Sequence, residues 1–208
     1  SGLAFRSILI SVGVTPAIRW LGVLLFVFSF SFLNYWPWYN HTVIVYELVA
    51  LAFLCRALLR SSDSFRWFWI VLASLFLNIT FFTKQDGGGL TLLIMLALLA
   101  YDAWQAKRWS YLVGFTICTF LIGLVFVLPF LPHRFGYWFN YGQPPHTARV
   151  SAMDMATDFF GSSQWIKFYF FTTILMALVW LQSWKVFKED RKTALFFLLT
   201  LGILAEAA

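Results

Sequence analysis

Seven apolar runs separated by short polar segments constrain this chain more than any other feature: Ala17–Leu33, Val43–Leu59, Trp67–Phe82, Leu90–Trp104, Tyr111–Leu128, Trp165–Trp184 and Ala194–Ala208. Each run approaches the roughly 20 residues that carry a helix across a bilayer at about 1.5 Å per residue. Hydrophobic residues are 61% of the chain and charged residues 12%, against about 25% charged in a soluble domain. Such a chain cannot cover itself with polar surface, so lipid is its natural solvent. Strand-like alternation is absent, and backbone groups facing lipid must pair within their own segment, so the spans are predicted to be helices. The expectation is an all-α polytopic bundle over residues 1–208, forming one transmembrane domain.

Lys and Arg give the bundle a direction. With the N-terminus in the cytoplasm, Arg6, Arg19, Arg56, Arg60, Arg66, Lys107, Arg108, Lys185, Lys188, Arg191 and Lys192 lie on the inner side. Lys84, Arg134, Arg149 and Lys167 then lie outside. Eleven against four follows the positive-inside rule. The formal charge of +6 is thus explained by orientation rather than by nucleic acid. Cys55 and Cys118 sit inside apolar runs and read as buried thiols. No Cys/His spacing points to a metal, and no cofactor is indicated. The chain starts at Ser1 rather than Met, and its last run stops after about 15 residues. Both ends therefore read as cut, and the expectation is a fragment of a larger membrane domain.

The polar content concentrates in three predicted outer loops, about 34–42, 83–89 and 129–164. The first, from Asn34 through Tyr35-Trp36-Pro37-Trp38-Tyr39 to Thr42, reads as an aromatic belt at the headgroups. It contains the sequon Asn40-His41-Thr42, while a second sequon, Asn78-Ile79-Thr80, falls inside a span. The second loop, Thr83-Lys84-Gln85-Asp86-Gly87-Gly88-Gly89, places a cation, an amide and a carboxylate before a helix expected to begin near Leu90. Free N–H groups at a helix start, together with a lysine, suit an anion. At a membrane surface that anion is a lipid phosphate; the bland alternative is a snorkelling lysine and a glycine turn.

The third loop carries His133, Arg134, Tyr137, Asn140, Tyr141, Gln143 and Arg149. Rings beside amides and an imidazole suit the C–H faces and hydroxyls of a sugar, and equally suit the membrane interface. Val150–Gly161 has the pattern of a surface helix, with Met153, Met155 and Phe159 on one side and Asp154 and Asp158 sharing another. Two acids lie within or near spans. Glu47 is about one turn below the outer surface, and Asp102 is near an inner end, within reach of Lys107 or the interface. Ionisable groups in spans are candidates for function.

The aromatic outer loop at Tyr35–Thr42, followed by the outer Phe81-Phe82-Thr83-Lys84-Gln85-Asp86-Gly87-Gly88 turn, resembles the GT-C superfamily of membrane glycosyltransferases. The nearest relatives appear in the aminoarabinose-transferase and protein-mannosyltransferase-like groups. The resemblance covers most of the chain in hydropathy and order, and its sharpest motif is Thr83-Lys84-Gln85. It implies a polyprenyl-phosphate-linked sugar donor, an acceptor lipid, glycan or protein, action on the outer face, and residence in a bacterial inner membrane. It implies Lys84, Gln85 and Asp86 as contacts to the carrier phosphate, with Arg134 and Arg149 as further cations. Glu47, His133, Tyr137, Asn140, Tyr141 and Gln143 are the sugar or acceptor candidates. In that superfamily the catalytic acid sits in the first outer loop, yet no Asp or Glu precedes Glu47 here. The catalytic residue is therefore unknown and is expected upstream of Ser1. A transporter or flippase, and a non-catalytic membrane subunit, are the rival readings.

Overall fold

A computed structural model describes residues 1–33, 39–133, 153, 157, 161 and 164–206, with side chains described throughout except at 30–33, 39–40, 164–165, 184 and 206. The described residues form helices and their connections, with no strand among them. In chain order the helices are α1 (Gly2–Ser11), α2 (Pro16–Leu33), α3 (Tyr39–Leu59), α4 (Asp63–Thr83), α5 (Gln85–Ala106) and α6 (Ser110–Val127). A 3-10 helix (Leu128–His133), α7 (Gln164–Trp180), α8 (Trp184–Glu189) and α9 (Arg191–Glu206) follow. Among the described residues, four segments are long and apolar enough to cross a membrane: His41–Leu59, Asp63–Thr83, Gln85–Ala106 and Ser110–His133. They mark the chain as an integral membrane protein. The chain divides into two compact units, Ser1–Gly123 and Leu124–Ala208.

In the first unit, α3, α4 and α5 pack on one another, α1 packs on α3, and α2 folds back on α1. The α1–α2 turn needs a left-handed residue, and Gly13 supplies it at φ 88° at no Cβ cost. Pro16 then opens α2, where its missing N–H has no helical partner to lose. The core is aliphatic, with Leu51, Leu54, Leu58, Ile70, Leu77, Met95, Leu98 and Leu99 all buried. Rings fill the α3–α4 seam: Phe53 contacts Trp69 and Phe76, each with centroids 5.5 Å apart, and Tyr46 lies 6.3 Å from Phe76. Cys55 is buried, Cys118 is half-buried, and both are free thiols.

Helix α6 rests against α4 through small residues. At Gly114 an added methyl would overlap the Trp67 ring, and at Gly123 it would lie 3.0 Å from Asn78 Oδ1. Asn78 is buried, and its amide donates to the carbonyls of Ser74 (2.9 Å) and Thr119 (3.1 Å), joining the two helices. The second sequon is thus locked inside the bundle. Most of the remaining α6 surface is exposed and apolar, including Ile117, Phe120 and Leu121, as suits a helix bordered by lipid.

The second unit holds a helical hairpin. Trp180 at the end of α7 packs on Phe197 of α9 at 5.4 Å and on Phe187 of α8 at 6.4 Å. Asp190 starts α9 by accepting the Thr193 N–H at 3.2 Å, which satisfies one of the unpaired donors of the first turn.

Candidate functional site

The α4–α5 junction carries the sharpest sequence motif, and its geometry is tighter than the sequence predicts. Lys84 is the single residue between two antiparallel helices, with extended backbone at φ −152° and ψ 116°. Its N–H donates to Thr80 O at 3.0 Å and ends α4, while its carbonyl accepts the Gly88 N–H at 2.9 Å and opens α5. Helix α5 therefore begins at Gln85, not near Leu90, and the three glycines are its first turns rather than a loop. The reason is steric. A methyl at Gly88 would overlap the backbone N and Cα of Phe81, whereas a methyl at Gly89 would meet nothing within 4 Å. Gly88 lets the two helices touch backbone to backbone immediately after they reverse. Tyr39–Thr42, likewise read as loop, already belongs to α3.

The same junction sets the local electrostatics. Lys84 Nζ lies 3.2 Å from Asp86 Oδ2, with the two side chains 34% and 46% exposed. Asp86 Oδ1 also accepts the Gly87 N–H at 3.0 Å. A lysine at a helix N-terminus opposes the positive end of the macrodipole, and an acid in the first turn offsets it. The positive field predicted for this turn is therefore shared between Asp86 and any arriving anion. An ammonium has three donors, and Asp86 engages one side of it. Thr83 and Thr91 turn their hydroxyls back to the carbonyls of Ile79 (2.7 Å) and Gly87 (2.8 Å), which satisfies both hydroxyls within their own helices.

The other candidates do not all gather here. Glu47 is buried in α3 at 7% exposed. Its neighbour Tyr46 contacts Phe76 of α4 with ring centroids 6.3 Å apart, so Glu47 lies along the α3–α4 seam and not at the Lys84 junction. Asp102 is 1% exposed, enclosed rather than turned to the interface, because it shares α5 with the buried Leu98, Leu99 and Ala103. His133 is exposed at the end of the 3-10 helix and belongs to the second unit. Arg134, Tyr137, Asn140, Tyr141, Gln143 and Arg149 lie outside the described residues, as does most of the Val150–Gly161 segment.

In the sequence, Arg56, Arg60, Arg66, Lys107 and Arg108 point only to the orientation of the chain. The structure brings them to one end of the first unit, where two connections meet: Arg60–Ser62 between α3 and α4, and Lys107–Trp109 between α5 and α6. Asp63 ties the two turns together, 3.0 Å from Arg108 Nη1 and 3.5 Å from Arg66 Nη2. The signal available in sequence was the interleaving of these cations with Trp67, Trp69, Trp109 and Tyr111.

Comparison with known proteins gives this chain no family: no protein-family model, no curated protein and no solved structure matches it.

Proposed function

We propose that this chain is part of a membrane glycosyltransferase of the GT-C kind, which moves a sugar from a polyprenyl phosphate to an acceptor on the outer face. In this reading the bundle crosses a bacterial inner membrane seven times, starting from the cytoplasm, and the Lys84 junction faces outward. The observation that carries it is the placement of a half-exposed lysine as the sole link between two membrane helices, at the start of α5. A cation held at that height meets the phosphate of a lipid carrier and not its chain.

The reaction breaks the bond between the anomeric carbon and a phosphate oxygen. A bond from the acceptor oxygen to the same carbon replaces it, and the acceptor proton passes to a base. Negative charge builds on the leaving phosphate, and a fixed cation stabilises it more in the transition state than in the ground state. Asp86 holds the Lys84 ammonium at 3.2 Å and competes with an arriving phosphate for it. Gln85 adds an amide beside it, and Arg134 and Arg149 are the further cations in this reading.

Lys84→Ala in the full-length protein should lower transfer from a radiolabelled polyprenyl-phosphate sugar by about 100-fold at unchanged membrane abundance, with partial recovery in Lys84→Arg. Unchanged transfer removes Lys84 from the site. Failure of the wild-type protein to bind any polyprenyl-phosphate sugar sinks the reading and leaves a transporter or a non-catalytic subunit.

A further inference from the structure

The end of the first unit opposite Lys84 carries five cations and one acid across segments 56–66 and 106–111. Two of the cations are braced on rings. The Arg56 guanidinium sits 4.2 Å from the Trp69 ring centroid, and that of Arg66 sits 4.8 Å from Tyr111. Tyr111 is itself packed on Trp67 at 5.1 Å. Arg56, Arg60 and Lys107 are exposed and make no ion pair with an acid among the described residues. Lys107 closes α5 at φ 56°, a left-handed position that favours glycine, and its charge suits the negative end of the helix dipole. Around them Phe65, Phe68 and Trp109 are exposed.

We propose that this end of the bundle binds the headgroup of an anionic phospholipid, with Arg56, Arg60 and Lys107 supplying the positive charge and Asp63 limiting it. Guanidinium is weakly hydrated and matches phosphate with paired donors, and a ring beneath it narrows its rotamers before the ligand arrives. The occupant is a lipid because the cations stand where apolar helices end and exposed rings begin, at headgroup height. It is anionic because a zwitterionic headgroup brings its own ammonium into a field that is already positive. The site is independent of any activity at the Lys84 end.

The test uses the whole chain in phosphatidylcholine bilayers, with spin-labelled phosphatidylglycerol and phosphatidylcholine competing for the protein surface. Phosphatidylglycerol should associate more strongly. Arg56→Gln, Arg60→Gln and Lys107→Gln should each cut that preference by about two- to fivefold. Asp63→Asn should raise it, a gain that misfolding does not produce. Lys185→Gln, at a residue already paired with Glu189 at 3.6 Å in the second unit, should leave it unchanged. The proposal is overturned if wild type shows no anionic preference, if the triple variant keeps it, or if Lys185→Gln lowers it equally. Displacement of the lipid by excess inorganic phosphate at matched ionic strength would also overturn it, by identifying a simple anion site.

Discussion

The two ends of the first unit are built from the same parts and present different electrostatics, one compensated and one positive. At one end α4 reverses into α5 through Lys84 alone, and Asp86 lies beside the ammonium. At the other, two connections bring five cations together around Asp63, with Arg56 and Arg66 over rings. The motif that drew attention in the sequence is thus locally compensated, while the residues that served only to orient the chain form the stronger positive surface. A charge counted along the chain differs from a charge presented at a surface, because compensation depends on which acid the fold brings within about 4 Å.

The comparison can be broken most severely at Gly88. If the Lys84 end depends on backbone contact between α4 and α5, Gly88→Ala should destabilise the protein by about 1–3 kcal/mol in thermal unfolding in detergent. Gly89→Ala, one residue on and facing open space, should instead stabilise by up to about 1 kcal/mol through helix propensity. Equal behaviour of the two variants would remove the close approach as the reason for the glycines.

A smaller effect sharpens the electrostatic contrast. Asp86→Asn should release Lys84 and strengthen binding of a polyprenyl phosphate at that end by about two- to fivefold, read by competition with a fluorescent carrier analogue. Unchanged affinity would mean that the 3.2 Å pair does not restrain the lysine. The same substitution should leave phosphatidylglycerol preference at the opposite end untouched.

The smallest effect lies outside both ends. Hydrogen bonds from the Thr193 side chain and backbone, with help from Trp180 and Lys192, hold the Asp190 carboxyl below its ordinary value, against a smaller opposing push from burial. A depressed carboxylate contributes stability above its unfolded value of about 3.9 and loses it as pH falls through the folded value. Asp190→Ala should cost the α7–α9 hairpin about 0.5–1 kcal/mol at neutral pH, and the difference from wild type should shrink as the pH drops below about 4. Asp190→Asn, which still accepts the Thr193 N–H, should show little loss at pH 7. A difference independent of pH would assign Asp190 a role other than the cap.

Hydropathy and breaker residues made the membrane class and several connections legible. The turns at Arg60–Ser62 and Lys107–Trp109 fall where the apolar runs stop, because a charged group at a helix end is cheap only where water is near. Helix α5 starts at Gln85, five residues before the position the sequence pattern indicates. Three glycines are usually a break, and Lys84 carries none of the side chains that cap helices, so nothing local announced that the helix had already begun. Glu47 was legible as an acid in a span, but not as a group enclosed along the α3–α4 seam, since burial against another helix is set by packing.

By itself, then, the sequence determined that the chain is helical and membrane-embedded, and where most of its helices end. Those outcomes follow from transfer free energies and backbone pairing, which are properties of a residue and its chain neighbours. Only the tertiary structure decided that Gly88 meets Phe81, that Asn78 bridges α4 to α6, and that Arg66 and Arg108 share Asp63 across two turns. Each of these depends on atoms separated along the chain, and contact between them is fixed by how helices cross and not by what either residue prefers alone.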